Sequence, residues 1–241
     1  MESSKTDKKA TLYMLPCPIG DGAVWDVLPA ANLEVMRSLD YFIVENVRTA
    51  RRFLSKAGIG RPIDELEFAE LNEHTRPEDV AALVRPLEQG RSAGVISEAG
   101  VPGIADPGAE VAALCHSRGI RVVPLVGPSS IVMALMASGL NGQSFAFNGY
   151  LPVKPPERTR AIRSLERRAQ SERQSQIFIE TPYRNARLFD DLLVACAPGT
   201  MLTVAADITA PDEFIRTASI ADWKRSPRPD INKRPAIFII L

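Results

Sequence analysis

Residues 94–108, Gly-Val-Ile-Ser-Glu-Ala-Gly-Val-Pro-Gly-Ile-Ala-Asp-Pro-Gly, hold the densest set of groups able to bind a small ligand. A β-branched strand end runs into a polar, glycine-rich loop carrying Ser97, Glu98, Ala99, Gly100 and Pro102. The pattern predicts a helix opening at Asp106-Pro107, with the carboxylate capping free N–H groups and proline fitting the first turn. Such a loop puts unpaired backbone N–H and C=O groups where a strand's carboxyl end meets a helix amino end, the ligand position of open α/β sheets. Gly127-Pro128-Ser129-Ser130 is a second turn of this kind, its serines either simple N-caps or partners for a ligand carboxylate. Glu45 and Glu73 stand just past strands or in the following loops, where a general base belongs. Arg48, Arg51 and Arg52 fall at helical spacings that can present one basic face to phosphates. Ordinary surface carboxylates and a solvated arginine face are the alternative for each of these residues taken singly.

Other chemistries find little support. Neither loop is GxGxxG or a Walker A motif, so no dinucleotide or ATP phosphate site is expected. His74 lies in a polar loop and His116 inside a predicted helix, too far apart in sequence to suggest a metal site. The three cysteines, Cys17, Cys115 and Cys196, are odd in number and lack CxxC pairing. A reducing, cytoplasmic setting is therefore expected, with neither a disulfide framework nor zinc. Twenty-nine basic and 29 acidic residues balance, so no global field draws nucleic acid or an acidic membrane. The polar opening residues read as no signal peptide, and no apolar run reaches membrane-spanning length, so a soluble protein is expected. With 241 residues, 45% of them hydrophobic, the chain can build one large domain or two half-size ones.

The elements that must position these residues alternate in the first half. Strands are predicted at 12–15, 41–44, 94–97 and 121–125. Helices are predicted at 25–38, 48–57, 76–89 and 109–118, with a further one opened by Ser129-Ser130 and ended by Gly139. Such alternation argues for a largely parallel, helix-covered sheet. The second half differs, with strands at 145–147, 177–180, 202–206 and 236–241. Between the first two lies an arginine-dense segment, 154–173, in which Ile162, Leu165 and Ala169 recur at helical spacing. Its Arg158, Arg160, Arg163, Arg167, Arg168 and Arg173 read as a basic face suited to an RNA backbone, or as a solvated face paired with Glu157, Glu166 and Glu172. Aromatics are sparse there, so base stacking is not indicated. The organisation expected is a disordered tail (1–10), an N-terminal α/β domain (11–141) and a C-terminal α/β domain (142–241).

Taken together, these segments resemble the tetrapyrrole (corrin/porphyrin) methylase superfamily. Cys17-Pro-Ile-Gly20 matches its first-strand Thr-Pro-Ile-Gly loop, and Glu45-Asn-Val-Arg-Thr-Ala-Arg-Arg52 matches a Glu-Asp-Thr-Arg-x-x-Arg-Arg block. Asn72-Glu73 falls in a His-Asn-Glu block, and Ser97 to Gly108 matches Ser-Asp-Ala-Gly-x-Pro-x-Ile-x-Asp-Pro-Gly. Val123 to Ser130, Gly149-Tyr-Leu-Pro152 and Glu180-Thr-Pro-Tyr-Arg184 match three further blocks in order. The branch most resembled is the small-subunit ribosomal RNA 2′-O-methyltransferases that modify cytidine.

The resemblance implies a two-domain α/β enzyme that uses S-adenosylmethionine, usually as a homodimer, with the cofactor in the cleft between domains. Cofactor contacts would come from Pro18, Ile19 and Gly20, from the loop of Ser97, Glu98, Ala99, Gly100 and Pro102, and from Gly127, Pro128, Ser129 and Ser130. Leu151, Thr181 and Pro182 would complete them from the second domain. Methyl transfer is an in-line displacement, so orientation of donor and acceptor dominates, and a ribose hydroxyl gains from a nearby base. Glu45, Arg48 and Glu73 are the expected catalytic residues, and Arg51, Arg52, Arg163 and Arg167 the expected contacts to ribosomal RNA or the small subunit. Asn46, Val47, Leu71, Glu98 and Ala210 depart from the family pattern, and the chain lacks a short C-terminal extension found in some ribosomal RNA enzymes. These departures touch substrate more than cofactor. Two alternatives stay open: methylation of a tetrapyrrole or other small molecule, and a non-catalytic S-adenosylmethionine- or RNA-binding protein.

Overall fold

A computed structural model describes residues 10–72 and 74–241, with the side chain of Pro77 left aside. The expected tail therefore lies outside the described residues, except for Ala10, which is buried at the head of the first strand. The chain forms two compact units, 1–128 and 129–241.

The first unit is built on five parallel strands in the order β3-β2-β4-β1-β5. β1 is Thr11–Leu15, β2 Tyr41–Val44, β3 Glu67–Glu70, β4 Ala93–Ile96 and β5 Arg121–Pro124. β2 and β4 are buried at every residue, as strands covered on both faces must be. Their side chains alternate between two cores. Phe42 and Val44 join Leu15, Met36 and Leu54 on one face, while Tyr41 and Ile43 join Leu12, Val84, Val95 and Cys115 on the other. The covering helices are α1 (Val24–Val27), α2 (Ala31–Ser38), α3 (Val47–Ala57), α4 (Pro77–Glu88) and α5 (Ala109–Ser117). The single helix expected over 25–38 is in fact two. Leu28 is extended (ψ 138°) because it precedes Pro29, whose ring disfavours the helical conformation for the residue before it. β3 was not anticipated, since its Glu-Phe-Ala-Glu pattern is that of a sheet edge and carries no apolar run.

In the second unit α6 (Ser130–Ser138) precedes a mixed sheet of order β6-β7-β10-β8-β9. Its strands are β6 (Phe145–Tyr150), β7 (Ser175–Ile179), β8 (Met201–Ala206), β9 (Phe214–Ser219) and β10 (Ala236–Ile240). Only β6 and β7 run parallel, and the other pairs are antiparallel. α6 lays Ile131, Ala134 and Leu135 against Ile177, Ala205, Ile237 and Ile239. That packing puts the division between units before α6, whereas a boundary after it was expected at 141/142. The opposite face carries α7 (Pro155–Glu172), α8 (Asn185–Ala195) and α9 (Ile220–Arg225) over Phe178, Val204 and Phe238. Among the described residues no helix is long and apolar enough to cross a membrane.

α7 is the expected amphipathic helix, but its charges do not all face solvent. Arg158 is 1% exposed, with Nη2 2.5 Å from Asp191 Oδ2 and Nη1 4.0 Å from the equally buried Glu180. Glu166, expected as a surface partner for arginine, is buried and accepts from Ala197 N at 2.6 Å and from Thr200 Oγ1. Both residues therefore leave the basic face and become struts of the unit. Arg158→Ala removes a buried guanidinium and leaves Asp191 without its 2.5 Å partner, so the denaturant midpoint should fall by the equivalent of roughly 3–5 kcal/mol. An unchanged midpoint in guanidinium titrations would contradict this role.

Candidate functional site

In the first unit the carboxyl ends of β1, β2 and β4 converge, and the loops leaving them are tied together by backbone bonds. Cys17 N donates to Gly100 O at 2.8 Å and Gly100 N returns a bond to Cys17 O at 3.2 Å. Gly100 sits at φ +71°, which favours glycine, and a Cβ there would come within a tight 3.1 Å of Pro128 O. Past β2, Glu45 N donates to Ile96 O at 3.2 Å, and Glu45 Oε2 accepts from Glu98 N at 3.1 Å. Thr49 Oγ1 reaches Glu98 Oε1 at 3.4 Å. The structure thereby brings together Pro18, Gly20, Glu45, Ser97, Glu98 and Gly100 from three separate loops. A cavity of about 170 Å³ opens beside them, lined by Pro18, Gly20, Ser97 and Glu98 together with Thr49, Arg52 and Lys56. It is smaller than the sites of about 300 Å³ or more that enclose whole cofactors, so it fits a polar portion of a ligand.

α3 supplies the cations, and its start explains one departure from the family pattern. Asn46, in place of the family's aspartate, accepts from Arg48 N at 2.9 Å and Thr49 N at 3.2 Å, so the helix cap survives the exchange. Gly58 in the left-handed region closes the helix. Of its arginines, Arg48 is exposed, Arg51 pairs with Asp64 and lies 5.8 Å over the Phe68 ring, and Arg52 lines the cavity. Arg51 is thus tied down by its own unit, in contrast to Arg52.

Asp106 is not the helix cap expected of it. α5 begins only at Ala109, with Gly108 at the cap position and no side-chain cap bond, because Ala105 (φ 63°) and Gly108 (φ 129°) turn the chain away from helical geometry. The carboxyl instead lies among the strand-end loops. Burial, then the neighbouring Glu45 and Glu98 charges, push its pKa up to about 6, against a hydrogen bond with Ser97 that favours the anion. Asp106 is the residue that sequence reasoning missed as part of the site; the Asp-Pro-Gly string was visible, but its fold-back was not. Burial and the Asp106 charge also push the Cys17 thiol up to about 12, so this thiol behaves as a packing group.

The remaining expected residues fall as follows. Gly127 packs so tightly that a Cβ would lie 2.2 Å from Pro16, which accounts for the glycine without a ligand. Ser129 caps α6 through Val132 N at 3.5 Å. Glu73 lies outside the described residues. Leu151, Thr181, Pro182, Arg163 and Arg167 belong to the second unit, the two arginines exposed on α7. Thr181 N donates to Glu180 Oε1 at 2.7 Å, and Pro182 O accepts from Lys233 N at 3.0 Å, so that turn is fixed at both ends.

Fold and site together define an α/β protein of two sheet-based units, with polar loops gathered at the carboxyl ends of a parallel sheet. Residues 12–223 match the family of tetrapyrrole (corrin/porphyrin) methylases. The chain belongs to that family. An Escherichia coli protein named ribosomal RNA small subunit methyltransferase I is 30% identical over 238 residues, spanning 99% of this chain and 79% of that one. A Synechocystis protein of the same name is 33% identical over 198 residues, 82% of this chain and 67% of its own. Among solved structures, the cobalt precorrin-4 methyltransferase CbiF of cobalamin biosynthesis superposes with a TM-score of 0.63 at 16% identity, covering 99% of this chain and 98% of that one. The fold is common to both.

The raised Asp106 pKa carries a pH signature. Folding favours the protonated acid, so the stability that it confers is complete below its ordinary value of 3.8 and is lost as pH rises through about 6. Asp106→Asn should therefore melt higher than the wild-type protein at about pH 8, with the gap closing toward about pH 4. A gap that widens on acidification would show the carboxylate, not the acid, to be the favoured form.

Proposed function

We propose that this protein is an S-adenosylmethionine-dependent methyltransferase that methylates a ribose 2′-hydroxyl in small-subunit ribosomal RNA. The observation carrying this reading is the gathering of Pro18, Gly20, Ser97, Glu98 and Gly100 at one set of strand ends, beside the α3 cations, in a chain whose curated relatives are named ribosomal RNA small subunit methyltransferases. The donor set suits the cofactor. Carboxylates at Glu45, Glu98 and Asp106 complement a sulfonium and an ammonium, and the polar cavity accommodates an amino-acid end.

When bound, S-adenosylmethionine supplies a methyl group on a cationic sulfur that is a good leaving group. In the first unit Pro18, Ile19 and Gly20, the loop from Ser97 to Pro102, and Gly127 and Pro128 would hold it, with Pro128 O close to Gly100. By the family resemblance, Ser129, Ser130, Leu151, Thr181 and Pro182 are the further residues proposed for cofactor binding. Glu45 accepts the proton of the ribose hydroxyl, positioned by the Glu98 N–H that it binds. Glu73 is the second carboxylate proposed for the acceptor side. Arg48 orients the acceptor, and Arg52, Arg163 and Arg167 contact backbone phosphates. Arg51, already paired with Asp64, contributes mainly to the local field. A homodimer in the cytoplasm is the proposed working form.

Labelled S-adenosylmethionine should transfer its methyl group to small ribosomal subunits from cells lacking the protein, and not to a tetrapyrrole precursor assayed in parallel. Arg48→Ala should lower kcat/KM by at least about tenfold, equivalent to about 1.4 kcal/mol. Arg52→Ala should weaken RNA binding across sequences and reduce the salt slope by about one. Label in the tetrapyrrole alone would move the substrate to a small molecule, and cofactor binding without any transfer would make the protein a binder only.

A further inference from the structure

The carboxyl ends of the second unit's parallel strand pair carry two aromatic rings that no packing role uses. β6 ends at Tyr150, which pairs in register with Ile179 at the end of β7, and Tyr183 follows in the 3₁₀ turn Pro182–Arg184. The register slips between Phe147 and Tyr150, with Gly149 at φ +63°. A bulge of this kind re-aims the side chain beyond it. Tyr150 is 61% and Tyr183 75% exposed.

Arg184 completes the group. Its Nη2 donates to Glu180 Oε1 at 2.7 Å, and it is close enough to Tyr150 to interact electrostatically. Glu180 is itself 1% exposed, accepts from Thr181 N and lies beside the buried Arg158. Burial opposes its ionisation, yet the Arg184 and Thr181 hydrogen bonds hold its carboxyl below the ordinary value, so the charged anchor persists. The turn bearing Tyr183 and the guanidinium of Arg184 is thereby fixed before any partner arrives, and little ordering entropy is lost on binding.

We propose that Tyr150 and Tyr183, with the anchored guanidinium of Arg184, form a stacking platform for an unpaired RNA base. Every base offers a π face, tyrosine and arginine planes receive it, and the exposed Arg160, Arg163 and Arg167 of the same unit supply phosphate contacts. Tyrosines framed by cations suit a base and its backbone better than an apolar peptide, which would need an aliphatic floor. The inference rests on the RNA reading above and narrows it: the strand held by the second unit is single-stranded where it binds.

The test measures binding of a labelled single-stranded oligoribonucleotide to the full-length protein and to Tyr150→Ala, Tyr183→Ala and the corresponding phenylalanine variants, with S-adenosylmethionine affinity measured alongside. Both rings are exposed, so the variants should fold. Each alanine variant should bind RNA about 5- to 150-fold more weakly with an unchanged salt slope, while the phenylalanine variants hold near wild-type affinity. Cofactor affinity should not move. Alanine variants that bind RNA like wild type, in a protein that methylates small subunits, would overturn the platform and leave the function standing. Alanine variants that lose cofactor affinity in the same proportion would reassign the rings to the cofactor. A wild-type protein that neither binds RNA nor methylates subunits would remove the function and the platform with it.

Discussion

The close approach of β1 and β2 to the central strand β4 is the constraint on which the first unit depends. Gly94 lies in β4 where an added Cβ would meet Leu15 Cδ1 at 2.3 Å and Phe42 Cδ1 at 3.1 Å. Removing that one side chain lets the two large ones meet over the strand. Leu15 and Phe42 then join a single core, and the strand ends line up in a register of Leu15 with Ile96 and Val44 with Ile96. Because all three strands end level, the loops leaving them meet. The Cys17–Gly100 bridge and the Glu45–Glu98 bond follow from that alignment, since both join residues one to four positions past a strand end. A one-residue slip would turn every side chain to the opposite face and separate the loops.

What the alignment gains in geometry it loses in electrostatics. Glu45, Glu98 and Asp106 are drawn to one place, and the raised Asp106 pKa registers their mutual repulsion as well as burial. Functional sites commonly hold such strain, because a bound cation relieves it. Arg52 and Lys56 of α3, which line the cavity, give the opposite character within the same unit. One small site therefore offers both signs of charge, as a zwitterionic ligand beside a phosphate would need. The second unit handles charge differently. Arg158, Glu180, Asp191 and Arg184 are buried or half-buried together, so each charge meets a partner and the chain between them is immobilised. Fixing a turn through buried ion pairs is a strong device only while every member is present.

Much of this was legible from residue types. The β-branched runs, the glycines that end helices, and the cap residues Asn46 and Ser129 specify their elements locally, and the parallel first sheet follows from strand–helix alternation. Two of the four edge strands, β3 and β9, were not legible. β3 and β9 owe their conformation to the neighbours that they pair with, β2 and β8, and not to any apolar pattern of their own. α8 was passed over although Leu188, Phe189, Leu192 and Ala195 recur at helical spacing.

By itself the sequence determined the fold class, the family and the polar loops that leave the strand ends, because local conformation and motif order depend on near neighbours in the chain. Only the tertiary structure decided which charges would be spent on packing and which left for a partner. Arg158 and Arg163 stand on one helix and look alike in sequence, yet the first is sealed against Asp191 and the second faces water. Asp106 read as a cap and became the third carboxyl of a cluster, through the turn at Ala105 and Gly108. The reason is physical: burial and charge proximity are set by contacts between residues far apart in the chain, and a one-dimensional pattern carries no record of them.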